Sequence, residues 1–329
     1  MKVLITGAAG QIGSGLAKRI VDNHDLVLVD NLNNGYVENL KNERGDMIAP
    51  FFKVDVATSE FFEWCSDKEY DCIIHLAAVS SLPDCEINPI DCIHSNVSAT
   101  ANVLDFARKV NVPHVIFAST SAVYEKNTEE VFTEDLEINP RLYYSLSKKM
   151  CEELVQSYRE NYGLKITVLR FFNVFGPDGD RTRPHPPLLN YLYREFSEGR
   201  SPVLSGDGEQ VRDFICIDDV VSMVELCLDK QPDDVFNVCT GRCVSVNEIA
   251  KWVAEAMDVN IEIKYKDAQN LWDKYPELFA GGYPLDKDIV AKETVKYSKG
   301  SYKKAEEVLG WTPRTDIENL VKEVTLRIK

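Results

Sequence analysis

The segment Thr6-Gly7-Ala8-Ala9-Gly10-Gln11-Ile12-Gly13 limits what this chain can fold into more than any other feature. It lies between the apolar run Val3-Leu4-Ile5 and a helix-length amphipathic stretch at 12–23. Its glycines permit a tight turn and close backbone approach, and the N-terminus of the following helix offers unpaired N–H groups to a pyrophosphate. A second apolar run, Leu26-Val27-Leu28-Val29, ends in Asp30, seventeen residues after Gly13. A carboxylate at the tip of that strand accepts both ribose hydroxyls and repels a 2′-phosphate. Strand, loop, helix, strand and acid together predict a dinucleotide site that takes NAD rather than NADP.

The same rhythm continues through the first half. Cys72-Ile73-Ile74-His75-Leu76 precedes a helical stretch at 96–110, followed by His114-Val115-Ile116-Phe117. A helix at 146–162 ends near Gly163 and leads to Ile166-Thr167-Val168-Leu169. Strands alternating with helices call for right-handed crossovers and a parallel sheet covered on both faces. The fold class is therefore α/β, a Rossmann-type doubly wound parallel sheet with a smaller α/β substrate-binding lobe. Clusters of Pro and Gly at 176–179 and 184–187 mark the boundary of that lobe. The chain is expected to return to the sheet near 212–221 and 235–238 and to leave it through a helix at 246–257. These signals divide it into a dinucleotide-binding domain, 1–175 plus about 212–245, and a lobe of 176–211 and 246–329.

Charge narrows the partners. With 37 Lys plus Arg against 53 Asp plus Glu, the formal charge is −16. No basic face exists to release counterions from a nucleic acid, so an anionic ligand must be held by local groups. No apolar run approaches the length of a membrane span, and the opening MKVLITG enters a strand at once, without room for a signal peptide. The nine cysteines are scattered without a C-x-x-C pair, and the five histidines have no ligand spacing. The expectation is a cytoplasmic protein with free thiols and no metal.

Tyr144 and Lys148 stand four apart at a helix start, so both side chains emerge on one face. A cation beside a phenol lowers its pKa and makes a base able to take a proton from an alcohol. Tyr283 and Lys287 have the same spacing, but Gly281-Gly282 and Pro284 rule against a shared helix face there. Ser119-Thr120-Ser121 closes the strand of Val115 to Ala118, at the edge where such sheets place ligands. One of these hydroxyls is positioned to hydrogen-bond a substrate oxygen beside Tyr144.

Over nearly its whole length the sequence resembles the extended short-chain dehydrogenase/reductases of the nucleotide-sugar epimerase/dehydratase family. The motifs are TGAAGQIG at 6–13, DNLNNG at 30–35, Asp55-Val56, HLAA at 75–78, Asn96, STSAVY at 119–124, YSLSK at 144–148, RFFNVFGP at 170–177 and RDFICIDDVV at 212–221. The resemblance implies that Gly7, Gly10, Gln11, Ile12, Gly13, Asp30, Asn31, Asp55, Val56, Leu76, Ala77, Ala78, Asn96, Tyr144 and Lys148 hold NAD. It makes Thr120, Tyr144 and Lys148 the catalytic group. Ser80, Thr120, Ser121 and Tyr144 would meet the sugar, Asn173 and Arg212 the diphosphate, and Leu189 and Val203 the base of a nucleotide-diphosphate sugar.

The family pattern also sorts the reactions. Dehydratases and decarboxylases carry an acid just after the catalytic hydroxyl, where this chain has Ser121 and Ala122. Reductases of the family favour NADPH, which Asp30 opposes. What remains is C4 epimerisation of a UDP-hexose or UDP-N-acetylhexosamine, by transient oxidation to a 4-keto sugar, rotation and re-reduction. The alternatives are a C4 oxidoreductase, a 3- or 5-epimerase or 4,6-dehydratase on GDP- or dTDP-sugars, and a non-catalytic dinucleotide sensor.

The chain departs from the family between Asp267 and Leu309. An aromatic segment with Trp272, Tyr275, Phe279 and Tyr283 replaces a shorter connection, and no Arg is present, leaving Lys292 as a candidate substitute for a diphosphate-binding Arg. The segment is either a surface helix capping the lobe or a reshaped wall of the sugar pocket. The residue that gates N-acetyl sugars in 4-epimerases aligns with Ser298, next to Tyr297. Apolar residues on more than one face of the helices at 96–110 (Val97, Val103, Leu104, Phe106, Ala107) and 146–162 (Met150, Leu154, Val155, Tyr158) suggest a homodimer, as in relatives that pair these helices.

Overall fold

The alternation of runs seen in the sequence becomes a chain of strand–helix crossovers in the computed structural model, which describes residues 1–65, 69–179, 185–295 and 297–328. Pro184, which opens the second Pro/Gly cluster, lies outside the described residues. The strands are β1 (Lys2–Thr6), β2 (Asp25–Asp30), β3 (Phe51–Lys53), β4 (Cys72–His75), β5 (His114–Thr120), β6 (Lys165–Phe171), β7 (Asn173–Phe175), β8 (Val203–Ser205), β9 (Val211–Cys216), β10 (Val235–Val238), β11 (Cys243–Ser245) and β12 (Lys264–Lys266). The first-half helices are α1 (Gln11–Ile20), α2 (Glu60–Cys65), α3 (Leu82–Ile87), α4 (Pro89–Ile93), α5 (Ala99–Lys109) and α6 (Tyr143–Tyr162). There follow α7 (Leu188–Ser197), α8 (Ile217–Lys230), α9 (Val246–Ala256), α10 (Lys287–Val295), α11 (Lys303–Leu309) and α12 (Ile317–Arg327).

The main sheet has seven strands in the order β3-β2-β1-β4-β5-β6-β10, every neighbouring pair parallel. Side chains alternate between its faces. Val3, Ile5, Leu28, Ile74 and Ile116 pack with Leu16 and Ile20 of α1 and Val220 and Val224 of α8. Leu4, Val27, Val29, Ile73, Val115 and Phe117 pack on the other face with Phe61, Val103, Phe106, Cys151 and Val155. Both faces are covered, which is the doubly wound arrangement. Eight of the nine cysteines are buried as free thiols and Cys243 is half-buried. Among the described residues no helix is long and apolar enough to cross a membrane.

Three expectations need correction. The segment 212–221 does not rejoin the main sheet: β9 pairs with β7 and β11 in a separate three-stranded sheet, and helix α8 begins at Ile217. Only β10 returns, beside β6. The helix expected from Asn96 opens as a π-turn over His94–Ser98, and its regular α part starts at Ala99. Helix α6 starts at Tyr143, three residues before the expected Leu146, so Tyr144 and Lys148 both lie inside it. Of the residues behind the homodimer expectation, Val103, Leu104, Phe106, Ala107 and Val155 belong to the sheet's own core. Met150 remains exposed.

A buried polar network ties β5, β6, β10 and α6 together near the carboxyl edge of the sheet. Arg170 grips Glu152 through two bonds of 3.1 and 2.7 Å, Ser119 Oγ donates to Glu152 Oε1 at 2.5 Å, and Arg170 also donates to Tyr124 Oη at 2.6 Å. Tyr124 in turn donates to Asn237 Oδ1 at 2.9 Å. The Arg170 and Glu152 side chains are only 5% and 9% exposed, so removing one partner strands a charge. Arg170→Met is expected to cost about 3–5 kcal/mol in urea-unfolding free energy, and the double change Arg170→Met/Glu152→Leu to cost less than Arg170→Met alone.

Candidate active site

A cavity of about 1210 Å³ runs along the carboxyl edge of the sheet, from the tips of β1 and β2 to the lobe. It is built first from the glycine loop. Gly7 has φ +68° and stands so close to β4's continuation that a Cβ there would lie 2.6 Å from Ala77 N. A Cβ on Gly13 would overlap Gly7 O, whereas one on Gly10 would meet only Gly7 O at 3.4 Å and otherwise project into open space. The first two glycines named thus serve the protein's own packing, and Gly10 keeps the cavity open. Helix α1 begins at Gln11 with no side-chain cap and no acid in its first turn. Gln11 Nε2 is buried without a hydrogen-bond partner. A buried orphan donor beside an uncapped helix N-terminus fits a pyrophosphate.

Asp30 is held ready for a ribose. Its carboxylate accepts from Ala9 N at 3.0 Å and Leu32 N at 2.7 Å, while burial pushes its pKa up. The loop after it folds back on the glycine loop, with Tyr36 N and Asn39 Nδ2 donating to Ala9 O at 3.2 and 3.0 Å. Asn33, Asn34 and Gly35 join the cavity wall in this way. They stood in the DNLNNG motif without an individual role; only the reach of the loop back to Ala9 reveals one.

At the centre of the cavity β5 delivers Thr120 and α6 delivers Tyr144 and Lys148. Leu142 caps α6 with no side-chain bond of its own. Glu125 Oε2 instead accepts from Arg141 N, Leu142 N and Ser145 Oγ at 2.6, 2.9 and 2.7 Å, and Glu86 Oε1 from Tyr143 N at 2.7 Å. Two remote carboxylates at the positive end of the helix dipole explain its early start. Tyr144 is half-buried and lines the cavity beside Thr120. Burial pushes the phenol up to about 12, against the pull of Thr120. Lys148 is buried, its Nζ donating to Ala118 O at 2.8 Å, and burial pushes its pKa down. The expected lowering of the Tyr144 pKa by Lys148 is not found: the ammonium is drawn to a carbonyl, and desolvation of the phenol wins.

Every residue expected at the site lines this cavity except Asn96. Asn96 lies beneath it, 1% exposed. Its Oδ1 accepts from Val79 N at 2.8 Å, and its Nδ2 donates to Val79 O at 3.1 Å and Ser147 Oγ at 2.8 Å. Through these bonds Asn96 fixes the loop after β4 against α6. At the far end, Asn173 Nδ2 donates to Asp213 O at 2.8 Å, and Arg212 Nη2 to Glu293 O and Thr294 O at 2.8 and 3.1 Å. Burial pushes the Arg212 pKa down to about 10.

The aromatic segment belongs to the cavity as well as to the surface. Leu271, Trp272, Lys274 and Tyr275 line it, and Trp272, Tyr275, Leu278 and Val290 form a cluster with Leu142 and Leu82. Lys292 does not reach it; it lines a separate smaller cavity with Glu125, Arg141 and Tyr297. Ser298 faces the main cavity, buried, its Oγ without a partner. Tyr283 is fully exposed and precedes α10, so it shares no helix face with Lys287.

The fold and this cavity define a dinucleotide-dependent enzyme with a Tyr–Lys pair. Residues 3–239 match the NAD dependent epimerase/dehydratase family, and the chain belongs to that family; its cofactor is NAD. A putative UDP-glucose 4-epimerase of Methanocaldococcus jannaschii is 30% identical over 324 residues, covering 98% of this chain and 96% of the relative. The structure of a UDP-N-acetylglucosamine 4-epimerase from Methanobrevibacter ruminantium M1, in complex with UDP-N-acetylmuramic acid, superimposes with a TM-score of 0.86 at 28% identity, covering 99% and 97% of the two chains. That of a Thermotoga maritima UDP-glucose 4-epimerase with UDP-glucose gives 0.86 at 30% identity and covers 99% and 98%. By class the enzyme is an isomerase.

The glycine geometry separates binding from folding. Gly10→Ala keeps a permitted backbone, φ −74° and ψ 174°, and places its methyl in the cofactor's space. Its unfolding temperature without cofactor is expected to match the parent, while bound NAD, read from the absorbance of the purified protein and by titration, falls at least about tenfold.

Proposed function

We propose that this enzyme is a nucleotide-sugar 4-epimerase acting on a UDP-hexose or UDP-N-acetylhexosamine. The observation that carries the reading is the Thr120–Tyr144 pair at the cavity centre. It offers one base for one hydroxyl, and the lining residues that follow Thr120 are Ser121 and Ala122, with no carboxylate to remove a carbon-bound proton. The carboxylates that line the cavity lie elsewhere, Asp30 and Asp55 at the β2 end and Glu195, Asp273 and Glu293 on the lobe segments.

Gly7, Gly10, Gln11, Asp30 and Lys148 hold NAD, which when bound supplies a reversible two-electron acceptor and a positive charge beside the phenol. Tyr144 takes the proton of the C4 hydroxyl and later returns it; Thr120 orients the same oxygen. Lys148 lowers the cost of the phenolate once it leaves Ala118 O. Asn173 and Arg212 hold the diphosphate, Leu189 and Val203 border the base, and the sugar, as a 4-keto species, turns over about its diphosphate link. The buried, unpartnered Ser298 leaves room for an N-acetyl group where a tyrosine would fill it. A cytoplasmic homodimer belongs to the same reading, with Met150, Leu154 and Tyr158 on the outer face of α6.

Proton NMR of the purified protein in D₂O with UDP-glucose and UDP-N-acetylglucosamine, with no added cofactor, tests this. Inversion at C4 without ring deuterium is expected; deuterium in the ring or net turnover of dinucleotide would instead indicate a C5 or C3 reaction or an oxidoreductase. Tyr144→Phe is expected to lose about 10²–10⁴ in kcat, and an unchanged rate would refute Tyr144 as the base. Because burial raises the phenol, kcat/KM of the parent should climb with pH from 6 to 9. A flat profile would remove a titrating tyrosine from the rate.

A further inference from the structure

The diphosphate of a nucleotide-diphosphate sugar is a dianion entering a protein of charge −16, so the diphosphate site must gather its cations locally. This inference rests on the substrate reading above. Among the described residues, the lysines and arginines lining the lobe end of the cavity are Arg212, Lys266 and Lys274. Arg212 arrives partly committed, its Nη2 to Glu293 O and Thr294 O and its Nη1 to Val211 O at 3.0 Å.

Lys266 stands across one layer of chain from it. It ends β12 in register with Ser205 of β8, and its carbonyl accepts from Gly206 N at 2.8 Å. A Cβ on Gly206 would lie 3.3 Å from Thr294 Cγ2, and Thr294 O is the group that Arg212 holds. Gly206 and Thr294 thus link the backbone of Lys266 to the Arg212 guanidinium, and Lys266 and Arg212 line the same end of the cavity. The Lys266 ammonium is 2.8 Å from Asp273 Oδ2, and the pair is open to solvent, the two side chains being 24% and 46% exposed. An ion pair so exposed is weak and exchanges readily.

We propose that Lys266 is the second cation of the diphosphate site and Asp273 its resident counter-ion. As the diphosphate enters, the ammonium exchanges the carboxylate for a phosphate oxygen; as it leaves, Asp273 takes the lysine back. The β12 strand and the aromatic segment thereby give this chain a phosphate contact that Lys292, facing the other cavity, does not supply.

The proposal predicts effects of opposite sign from the two halves of one ion pair. Titration calorimetry on the NAD-loaded protein with UDP, GDP, dTDP and UMP measures them. Lys266→Met should weaken the preferred nucleoside diphosphate about tenfold and UMP by less, and Lys266→Arg should stay within about threefold of the parent. Asp273→Asn should tighten the diphosphate by about threefold, because it frees the lysine and removes a like charge. A salt bridge that merely fastened the segment would make Lys266→Met and Asp273→Asn weaken binding alike; that result, or no change in either, overturns the exchange. Asp273→Asn decides the matter alone if Lys266→Met does not fold. A parent protein that binds none of the three diphosphates would instead fail the substrate reading on which the exchange rests.

Discussion

A parallel sheet brings the carboxyl ends of its strands to one edge, and this constraint organises the rest of the protein. The edge gathers Gly7 after β1, Asp30 at the end of β2, Ala77 after β4 and Thr120 at the end of β5, residues that span more than a hundred positions in sequence. Each pair of strands is joined by a crossover packed on one face, so the faces are consumed by the core and only the edge remains for a ligand. The contact of Gly7 with Ala77 shows how tightly that edge is closed beneath the cofactor.

The electrostatics follow from the same economy. A chain so rich in carboxylates holds polyanionic ligands without a basic surface. It uses groups whose donors cannot be screened: an uncapped helix N-terminus, the orphan amide of Gln11 and the desolvated guanidinium of Arg212. Acidic residues do structural work at the opposite polarity. Glu86 and Glu125 take up the free N–H groups at the start of α6, and Glu152 neutralises Arg170 inside the core. Part of the negative charge is thus used at a helix start and in a buried ion pair.

Much of this was legible in the sequence because it is written in local pattern. The glycine spacing, the acid ending β2 and the four-residue step from Tyr144 to Lys148 need only the periods of strand and helix to be read. The misreadings have a common cause, which is dependence on distant partners. The early start of α6 rests on two glutamates seventeen and fifty-seven residues away from their partners Leu142 and Tyr143. The departure of β9 from the main sheet is decided by its pairing with β7 and β11, and an apolar run carries no record of which sheet it joins. Nothing local shows that the Asn96 amide is engaged by Val79 and Ser147. Lys292 and Lys266 are indistinguishable as letters; only the packing of the 267–300 segment turns one toward the cavity and the other away.

The electrostatics of Tyr144 and Lys148 have their own logic. Tyr144 carries a phenol raised by burial, and Lys148 is anchored to Ala118 O, its own ammonium disfavoured by desolvation. A buried phenol with a raised pKa acts as a base only with positive charge beside it. That charge is a requirement of the proposed chemistry, which Lys148 and a bound nicotinamide would supply. The lobe supports the same requirement by binding asymmetrically. Under the proposed function, charged and polar groups would hold the diphosphate, whereas the sugar would be bordered by the short hydroxyls and Ala122. A ligand held hard at its phosphates and softly at its sugar is free to present either face of the sugar to one fixed base, which is the freedom an inversion at carbon demands.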